Sequence, residues 1–267
     1  MPDYAIIRIL GNENPPRDLP GSRLQSLEFI LKHEPCFSGV PKLYLLNRLV
    51  DPEFEAQILG LLREYRASWL NVKLEWAELT LGLSANEFNR QVIAINSARN
   101  VAIDFGHLYA NHAIILDGDC IFDQTGWDQF VATTQLQERK YYSIPSTRTS
   151  PAEYLAGVTP ILGESMLAFH RDAKLRFDAN RLFGNREKLE LLFRLGHDPT
   201  PNSGHCRIVG DLTCLAGYVC HLHTGTDTVE SDVAVRMAQR SQSLALLWQK
   251  VRERLALGTE PSSGIIS

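Results

Sequence analysis

Short apolar segments alternate with amphipathic segments through the first half of the chain. Four runs rich in aliphatic residues are predicted to be strands, namely residues 4–10, 42–50, 71–76 and 112–122. Three segments with helical spacing lie between them, namely residues 22–33, 52–66 and about 86–105. Ser22 is predicted to cap the first helix. Strands separated by helices indicate βαβ units, and therefore an α/β fold with a mostly parallel sheet and helices on both faces.

The pattern becomes less regular after about residue 125. The predicted elements are a short helix at 126–138, a strand at 141–145, an apolar stretch at 165–171, a helix at 186–195, a loop at 197–210, an apolar strand at 214–223 and a long helix at about 229–256. The last residues, 260–267, have the composition of a frayed tail. Because no repeat, low-complexity tract or long linker divides the chain, we expect one domain over residues 1–267.

Composition and charge argue against several classes of protein. With 44% hydrophobic and 22% charged residues, the chain of 267 residues can bury one sizeable core. The formal net charge is -4 and the basic residues are scattered, so we expect no nucleic-acid partner, because such affinity needs clustered Lys and Arg. No run approaches the roughly 18–20 apolar residues of a membrane span. The opening does not read as a signal peptide, and we therefore expect a cytoplasmic protein.

The strongest candidate for chemistry is the tripeptide Asp117-Gly118-Asp119, at the polar end of an apolar strand. Two carboxylates one residue apart can converge on one hard cation, since Mg2+ and Mn2+ prefer oxygen ligands and accept substrate phosphates beside them. Gly118 allows the backbone to approach a ligand closely. Ligands of open α/β sheets bind at the carboxyl ends of the strands, so the loop after residues 4–10 is expected to share a rim with this tripeptide. An ordinary turn is the alternative.

Two nucleotide-binding fingerprints are missing after the first strand. Neither GxxxxGK[ST] nor GxGxxG follows residues 4–10, so an ATPase and a Rossmann dehydrogenase lose their main support. The loop carries Asn12 and Asn14 instead. Both residues are also typical of turns, so a binding role and a purely turn-forming role both stay open.

The 27-residue run NSARNVAIDFGHLYANHAIILDGDCIF, at 96–122, resembles family-2-like glycosyltransferases of the GT-A fold. In that family an Ala-Arg-Asn helix start is followed by a strand that ends in Asp-x-Asp. The positions that match this pattern, in order, are Ala98, Arg99, Asn100, Asp117 and Asp119. The opening IIRILGNENPPR, at 6–17, also looks like the start of bacterial sugar-transferase-type proteins.

The resemblance implies a GT-A-like single domain and a set of donor contacts. Residues 1–125 would form the half that binds the nucleotide sugar, residues 126–228 the acceptor half, and residues 229–256 a C-terminal helix. The base and ribose would lie against Arg8, Leu10, Gly11 and Asn12. Arg99 or Asn100 would lie near the nucleotide, and Asp117 and Gly118 would also contact the donor, with Asp119 as a direct ligand of Mn2+ or Mg2+. A surface ion pair on the helix is the alternative for Arg99.

The acceptor side is similar to the same family more loosely. In the segment at 176–196 the family has a Glu-Asp pair before an Arg-Leu, and its Asp is the general base. Aligned on Arg194-Leu195, this chain has Glu187 on the Glu but Lys188 on the Asp. An inverting transferase needs a carboxylate that accepts the proton of the acceptor hydroxyl. The candidates for that role here are Glu187, Glu190, Glu164 and Asp211.

Late histidines and cysteines supply two further hypotheses. By the resemblance, His221 or His223 would complete the shell of the metal ion. A zinc site is the competing idea, and its candidate ligands are His197, His205, Cys206, Cys214, Cys220 and His221. No CxxC pair or regular ligand spacing supports zinc. The five widely spaced cysteines instead indicate reduced thiols.

The leading prediction is a metal-dependent glycosyltransferase that moves a sugar from a nucleoside diphosphate donor, UDP- or GDP-sugar, to an acceptor hydroxyl. The acceptor class stays open between a glycan, a lipid carrier, a peptide and a small molecule. A sugar-phosphate nucleotidyltransferase is one alternative, although its Gly-rich opening is missing. A catalytically silent GT-A-like binding module is another, because Lys188 stands where a general base is expected. The helix at 229–256 either covers the core or forms a homodimer.

Overall fold

The computed structural model describes residues 1–157, 162–184, 187–198, 207–222 and 233–257. The tail expected at 260–267 and His223 lie outside these ranges. The strands, in chain order, are β1 (Tyr4–Leu10), β2 (Lys42–Asn47), β3 (Ser68–Val72), β4 (His112–Asp117), β5 (Cys120–Ile121), β6 (Tyr141–Thr149), β7 (Leu162–His170), β8 (Thr213–Leu215) and β9 (Val219–Leu222).

These strands form one mixed sheet in the order β3-β2-β1-β4-β7-β6-β9-β5, with β8 paired to β6. Of the eight strand pairs within the described ranges, five are parallel. The antiparallel pairs are β4 with β7, β6 with β7 and β5 with β9. The prediction of an α/β fold with a mostly parallel sheet is therefore confirmed.

Helices connect the strands, as the alternation of patterns predicts. They are α1 (Ser22–His33), α2 (Pro52–Glu64), α3 (Ala85–Phe88), α4 (Ile95–His107), α5 (Gln124–Leu136), α6 (Pro151–Leu155), α7 (Leu189–Arg194) and α8 (Val233–Ala256). Asp51 caps α2, because its carboxylate accepts hydrogen bonds from the backbone N–H groups of Glu53 and Phe54. Ser22 does not cap α1. It is the first helical residue, and Gly21, with a φ of 78°, takes the cap position.

The two faces of the sheet are covered by different helices. Alternate side chains of a strand point to opposite faces. Ile7 and Ile9 of β1 share an apolar cluster with Ala98 and Ala102 of α4. Leu10 belongs to a second cluster, formed with α1 and α2. The prediction of helices on both faces is confirmed.

Helix α8 packs on a cluster of its own and reaches the rim of the sheet. Leu247 and Val251 lie in an apolar cluster with Val50. One turn nearer the start of α8, the buried hydroxyl of Ser243 donates a hydrogen bond of 2.8 Å to the carbonyl oxygen of Asn14, in the loop after β1. The predicted C-terminal helix is therefore present. None of the helices within the described ranges combines the length and the apolar character needed to cross a bilayer.

Several predicted boundaries are corrected. The strand predicted at 71–76 is β3, which ends at Val72 because its partner Asn47 ends β2. β2 itself stops before Arg48, which has a φ of 48°. The helix predicted at 86–105 is interrupted by a π-helical turn, Asn89–Ile93, and by the left-handed Ala94. These interruptions place α4 so that it points its first turn at the rim of the sheet.

Candidate functional site

The site lies at the carboxyl ends of β1 and β4. Ile9 is the register partner of Asp117, so the two parallel strands end side by side. The loop after β1 and the tripeptide that follows β4 therefore meet at one rim, where ligands bind in open α/β sheets. Gly118 packs closely there, since a Cβ atom on it would lie 2.8 Å from the carbonyl oxygen of Ile9.

A pocket of about 290 Å³ opens at this rim. Of the residues proposed from the sequence, it is lined by Gly11, Asn12, Arg99, Asp117, Gly118, Asp119, Glu164, Glu187 and His221. Leu10 borders a smaller apolar cavity beside it, which also contacts Gly118 and Asp119. The volume is close to the lower end of the roughly 300–1,000 Å³ that is usual for small-molecule sites.

Asp117 is held by two cations. Lys188 places its Nζ 2.9 Å from Oδ2 of Asp117, and Arg99 places its Nη2 3.4 Å from Oδ1. Nζ of Lys188 also lies 3.7 Å from a carboxylate oxygen of Glu164. Burial disfavours an ionised carboxyl, but Lys188 and Arg99 outweigh it and hold the pKa of Asp117 far below its usual value. Both carboxylate oxygens therefore already face a cation of the chain itself.

Asp119 is paired differently. The next residue, Cys120, is the register partner of His221 in β9. This pairing brings the side chain of His221 close to that of Asp119. Nε2 of His221 lies 3.2 Å from Oδ1 of Asp119. This buried oxygen accepts no hydrogen bond from the residues that the structure describes. Although burial opposes ionisation, His221 lowers the pKa of Asp119 to about 2. Burial lowers the pKa of His221, and Asp119 more than offsets it, so that the pKa is raised.

Arg8 lies in the core rather than in the pocket. Its side chain is 0% exposed and forms an ion pair with Glu34. Its Nε donates a hydrogen bond of 2.8 Å to the carbonyl oxygen of Cys120. Glu34 in turn accepts a hydrogen bond of 3.0 Å from the backbone N–H of Phe122. The expected contact of Arg8 with a base and ribose is therefore corrected, because this guanidinium joins α1 to the segment after β4.

Asn100 and Asp211 also lie away from the pocket. The side-chain amide of Asn100 exchanges two hydrogen bonds, of 2.9 and 3.0 Å, with the backbone of Phe177. Asp211 is exposed in the loop before β8, where its carbonyl oxygen accepts a hydrogen bond of 2.8 Å from Arg139. Of the two neighbours Arg99 and Asn100, only Arg99 lines the pocket. The expectations for Asn100 and Asp211 are corrected accordingly.

Three glutamates were candidates for the general base, and the structure separates them. Glu187 lines the pocket, is 8% exposed, and accepts a hydrogen bond of 3.0 Å from the backbone N–H of Gly184. Glu164 lines the pocket as well, but its carboxylate lies beside Lys188. Glu190 forms an ion pair of 2.6 Å with Arg194 and is not a lining residue.

Asn12 has a structural role at the rim. Its side-chain oxygen accepts a hydrogen bond of 2.7 Å from the backbone N–H of Val50, and its Nδ2 donates one of 3.0 Å to the carbonyl oxygen of Arg48. The loops after β1 and β2 are therefore tied together by this amide. Gly11 lies beside it in the pocket wall, where an added Cβ atom would meet no atom within 4 Å.

Sequence reasoning missed several cations of the pocket. Arg17, Arg23 and Arg240 line it together with the aromatic ring of Phe183. The sequence could have indicated Arg17, because this residue follows the Pro pair in the loop after β1. Arg240 had none, because nothing in the pattern of the last helix indicates that it packs over this rim.

The described residues contain no group of three or more His, Cys, Asp and Glu side chains arranged to hold a metal. Two ligands of the zinc hypothesis, His205 and Cys206, fall outside those residues. The cysteines within the described ranges, Cys36, Cys120, Cys214 and Cys220, are free thiols.

Comparison with solved structures places similar folds among nucleotide-sugar glycosyltransferases. The TarS structure from S. aureus is 11% identical with a TM-score of 0.43, over 83% of this chain and 37% of that one. The mannosyltransferase PcManGT from Pyrobaculum calidifontis, in complex with GDP-Man and Mn2+, is 13% identical with a TM-score of 0.49, over 93% and 66%. GalNAc-T7 with UDP, GalNAc and Mn2+ is 10% identical with a TM-score of 0.44, over 86% and 45%.

The chain thus spans between 37% and 66% of the length of these three structures. No family model matches the sequence, and no curated protein sequence matches it. The chemistry of the site rests on the residues at its own rim.

Proposed function

We propose that this chain is a glycosyltransferase that binds a nucleoside diphosphate sugar at the rim of the sheet and transfers the sugar to an acceptor hydroxyl. The observation that carries the proposal is the buried Oδ1 of Asp119, which faces Nε2 of His221 at 3.2 Å and accepts no hydrogen bond from a described residue. The ion pair with His221 leaves this buried oxygen without a hydrogen bond, which is a costly state for a buried carboxylate. Arg23, Arg99 and Lys188 line the same pocket as this pair, and these cations suit an anionic ligand.

The Asp119 and His221 pair fits a divalent metal ion. Oδ1 of Asp119 and Nε2 of His221 lie 3.2 Å apart, and these two atoms would hold the ion. The imidazole favours Mn2+, a transition metal, over Mg2+. Diphosphate oxygens of the donor would supply further oxygen ligands. When bound, the ion would stabilise the negative charge that the diphosphate gains as the glycosidic bond breaks.

Asp117 has a different role in this proposal. Its two oxygens face Lys188 and Arg99, so the three side chains form a rigid group with one net positive charge beside the pocket. This group is fixed before the donor arrives, and a preorganised charge stabilises a developing anion better than one that must rearrange. Arg99 is additionally held by Asn96, whose Oδ1 accepts a hydrogen bond of 2.9 Å from Nη1.

Glu187 is the proposed general base. It lines the pocket, and no cation among the described residues lies within ion-pair distance of it. A carboxylate without a cation partner keeps an oxygen free to accept the proton of an acceptor hydroxyl. Glu164 is less suited, because its carboxylate oxygen lies 3.7 Å from Nζ of Lys188, which competes with an acceptor hydroxyl for it.

A catalytically silent binding module is the second candidate. Lys188, at the position of the general base in the resembling family, favours it. In either case we propose one domain over residues 1–267, in which Lys188 and Glu187 from the second half complete a donor site built by residues 1–125. The acceptor class and a homodimer through α8 stay proposals of the same standing.

Turnover of nucleotide sugars distinguishes the two candidates. The purified protein is incubated with a panel of UDP- and GDP-sugars and Mn2+, and released nucleoside diphosphate is measured for wild type, Asp119→Asn and Glu187→Gln. The transferase proposal predicts slow release by hydrolysis with at least one donor, lost in Asp119→Asn. Binding of a donor without release in any reaction would favour the silent module. No binding of any donor would contradict both.

A further inference from the structure

Two arginines contact the aromatic ring of Phe183 at the pocket wall. Arg240 of α8 places its guanidinium carbon 4.9 Å from the centroid of the ring, and Arg17 of the loop after β1 places its own at 5.8 Å. All three residues line the pocket. Cation–π contact holds a guanidinium in place and leaves its N–H donors available for a ligand.

The position of this group is fixed from three directions. The backbone of Phe183 exchanges two hydrogen bonds, of 2.9 and 3.3 Å, with the buried side-chain amide of Asn89. Ser243 accepts a hydrogen bond of 3.3 Å from the backbone N–H of Arg17. Arg240 lies three residues before Ser243 and therefore on the same face of α8. The arginines are thus held near each other by the fold and not by an ion pair.

The charges of these arginines are unbalanced. Arg23 is paired with Asp18 at 2.6 Å, and Arg99 and Lys188 are paired with Asp117. Arg17 and Arg240, in contrast, have no carboxylate partner among the residues that the structure describes. Burial, and next to it the positive charge of Arg23, lower the pKa of Arg17. The carboxylates of Asp18 and Asp119 offset this effect only in part. Two neighbouring cations that the protein compensates only in part are an electrostatic cost that an anion relieves.

We propose that Arg17 and Arg240, which both contact the Phe183 ring, bind a phosphate monoester group of the acceptor. A phosphate monoester carries about -1.5 to -2 charge at neutral pH, which matches two guanidinium groups better than one carboxylate does, and each guanidinium can donate two parallel hydrogen bonds to it.

Arg17, Arg240 and Phe183 together are called the clamp. We assign the acceptor, rather than the donor, to the clamp because of the position of Phe183. The next residue, Gly184, donates its backbone N–H to the carboxylate of Glu187 at 3.0 Å, so the clamp and the proposed base belong to one turn. A group held by the clamp therefore lies beside the carboxylate that takes the acceptor proton. This inference rests on the proposed transferase function for the word acceptor, but the binding of a phosphate monoester can be tested without it.

The test is calorimetric titration of glycerol 3-phosphate, with glycerol and glycerate as paired probes, into wild type, Arg17→Gln and Arg240→Gln. The titrations are run on the free protein and on the protein saturated with UDP or GDP and Mn2+. Arg63→Gln is the matched control, because Arg63 also packs on an aromatic ring, at 5.9 Å from that of Trp69, but does not line the pocket. Binding of the protein to vesicles that contain phosphatidic acid tests whether a lipid carries the phosphate group.

We expect wild type to bind glycerol 3-phosphate and not glycerol. Arg17→Gln and Arg240→Gln should each lower the affinity for glycerol 3-phosphate by roughly tenfold or more, as expected for a charge-assisted contact. The nucleotide affinity of these two variants should change little, and the Arg63→Gln control should keep the wild-type affinity for glycerol 3-phosphate. Phe183→Leu, which keeps an apolar side chain, should weaken the phosphate less. Failure of glycerol 3-phosphate to bind, or equal binding of glycerate, would overturn the assignment. So would an equal loss of nucleotide affinity in the arginine variants, which would assign the clamp to the donor diphosphate. If no nucleotide binds but glycerol 3-phosphate does, the transferase proposal fails and the clamp stands.

Discussion

Nζ of Lys188 lies 2.9 Å from Oδ2 of Asp117. This contact divides the work of the two carboxylates in the Asp-Gly-Asp tripeptide. Asp117 is neutralised by cations of the chain, whereas Asp119 faces His221 and retains a buried oxygen that accepts no hydrogen bond from the described residues. The sequence suggested both aspartates as metal ligands. The geometry favours Asp119 for that role and Asp117 for holding Lys188 and Arg99.

Lys188→Met is expected to destabilise the fold, because it leaves the largely buried Asp117 with Arg99 alone. Hydrogen bonds to charged groups contribute about 1.5–3 kcal/mol, so we expect a loss of that order in the free energy of unfolding. Urea unfolding measures it. In a double-mutant cycle, Asp117→Asn should cost less in the Lys188→Met background than in wild type. Strictly additive effects would show that the two side chains do not interact.

Glu187→Gln is expected to lower the rate of sugar transfer by about 10²–10⁴-fold, the usual contribution of a general base, with little change in donor affinity. Glu190→Gln is the matched control. It lies one helical turn away and pairs with Arg194 outside the pocket, so its rate should stay close to that of wild type. Rates and donor affinities are compared with the donor found in the turnover assay. A larger loss in Glu164→Gln than in Glu187→Gln would assign the base to Glu164.

Gly118→Ala is expected to destabilise the protein by about 1–3 kcal/mol, because the new methyl group would lie 2.8 Å from the carbonyl oxygen of Ile9 and 3.1 Å from Cδ2 of Leu10. Gly60→Ala is the control. Gly60 lies on the exposed side of α2 with no atom within 4 Å of an added Cβ, so alanine there should stabilise by about 0.4–1 kcal/mol. Thermal or urea unfolding compares the two. Equal stability of both variants would contradict the close packing of Gly118 on β1.

Local pattern was sufficient for much of the fold. Apolar runs such as residues 4–10 and 112–117 become central parallel strands, because only segments of that composition can be buried on both faces. The shared rim followed from the same reasoning, since parallel strands that alternate with helices bring their carboxyl ends together. The interruption at Asn89–Ile93 could not be foreseen, because its residues continue the helical spacing.

The functional details depended on contacts between distant segments. Arg8 in the middle of β1 reads the same whether it faces a ligand or an internal partner, and its partner Glu34 lies after the following helix. In the sequence, Lys188 is only a departure from the acceptor pattern of the resembling family. Its contact with Asp117 joins residues 71 positions apart, so no local pattern indicates it. The contact between Arg17 and Ser243 joins residues 226 positions apart, beyond the range of any local pattern.

The central claim is that a nucleoside diphosphate binds through a metal ion held by Asp119 and His221. Isothermal titration of UDP and GDP into wild type, Asp119→Asn and the control Asp104→Asn, each with Mn2+ and with EDTA, tests it most directly; the Asp104 side chain is 74% exposed. We predict binding of one nucleotide with Mn2+ only, weakened by about 100-fold or more in Asp119→Asn and unchanged in Asp104→Asn. Equal affinity in EDTA, or wild-type affinity in Asp119→Asn, would contradict the claim.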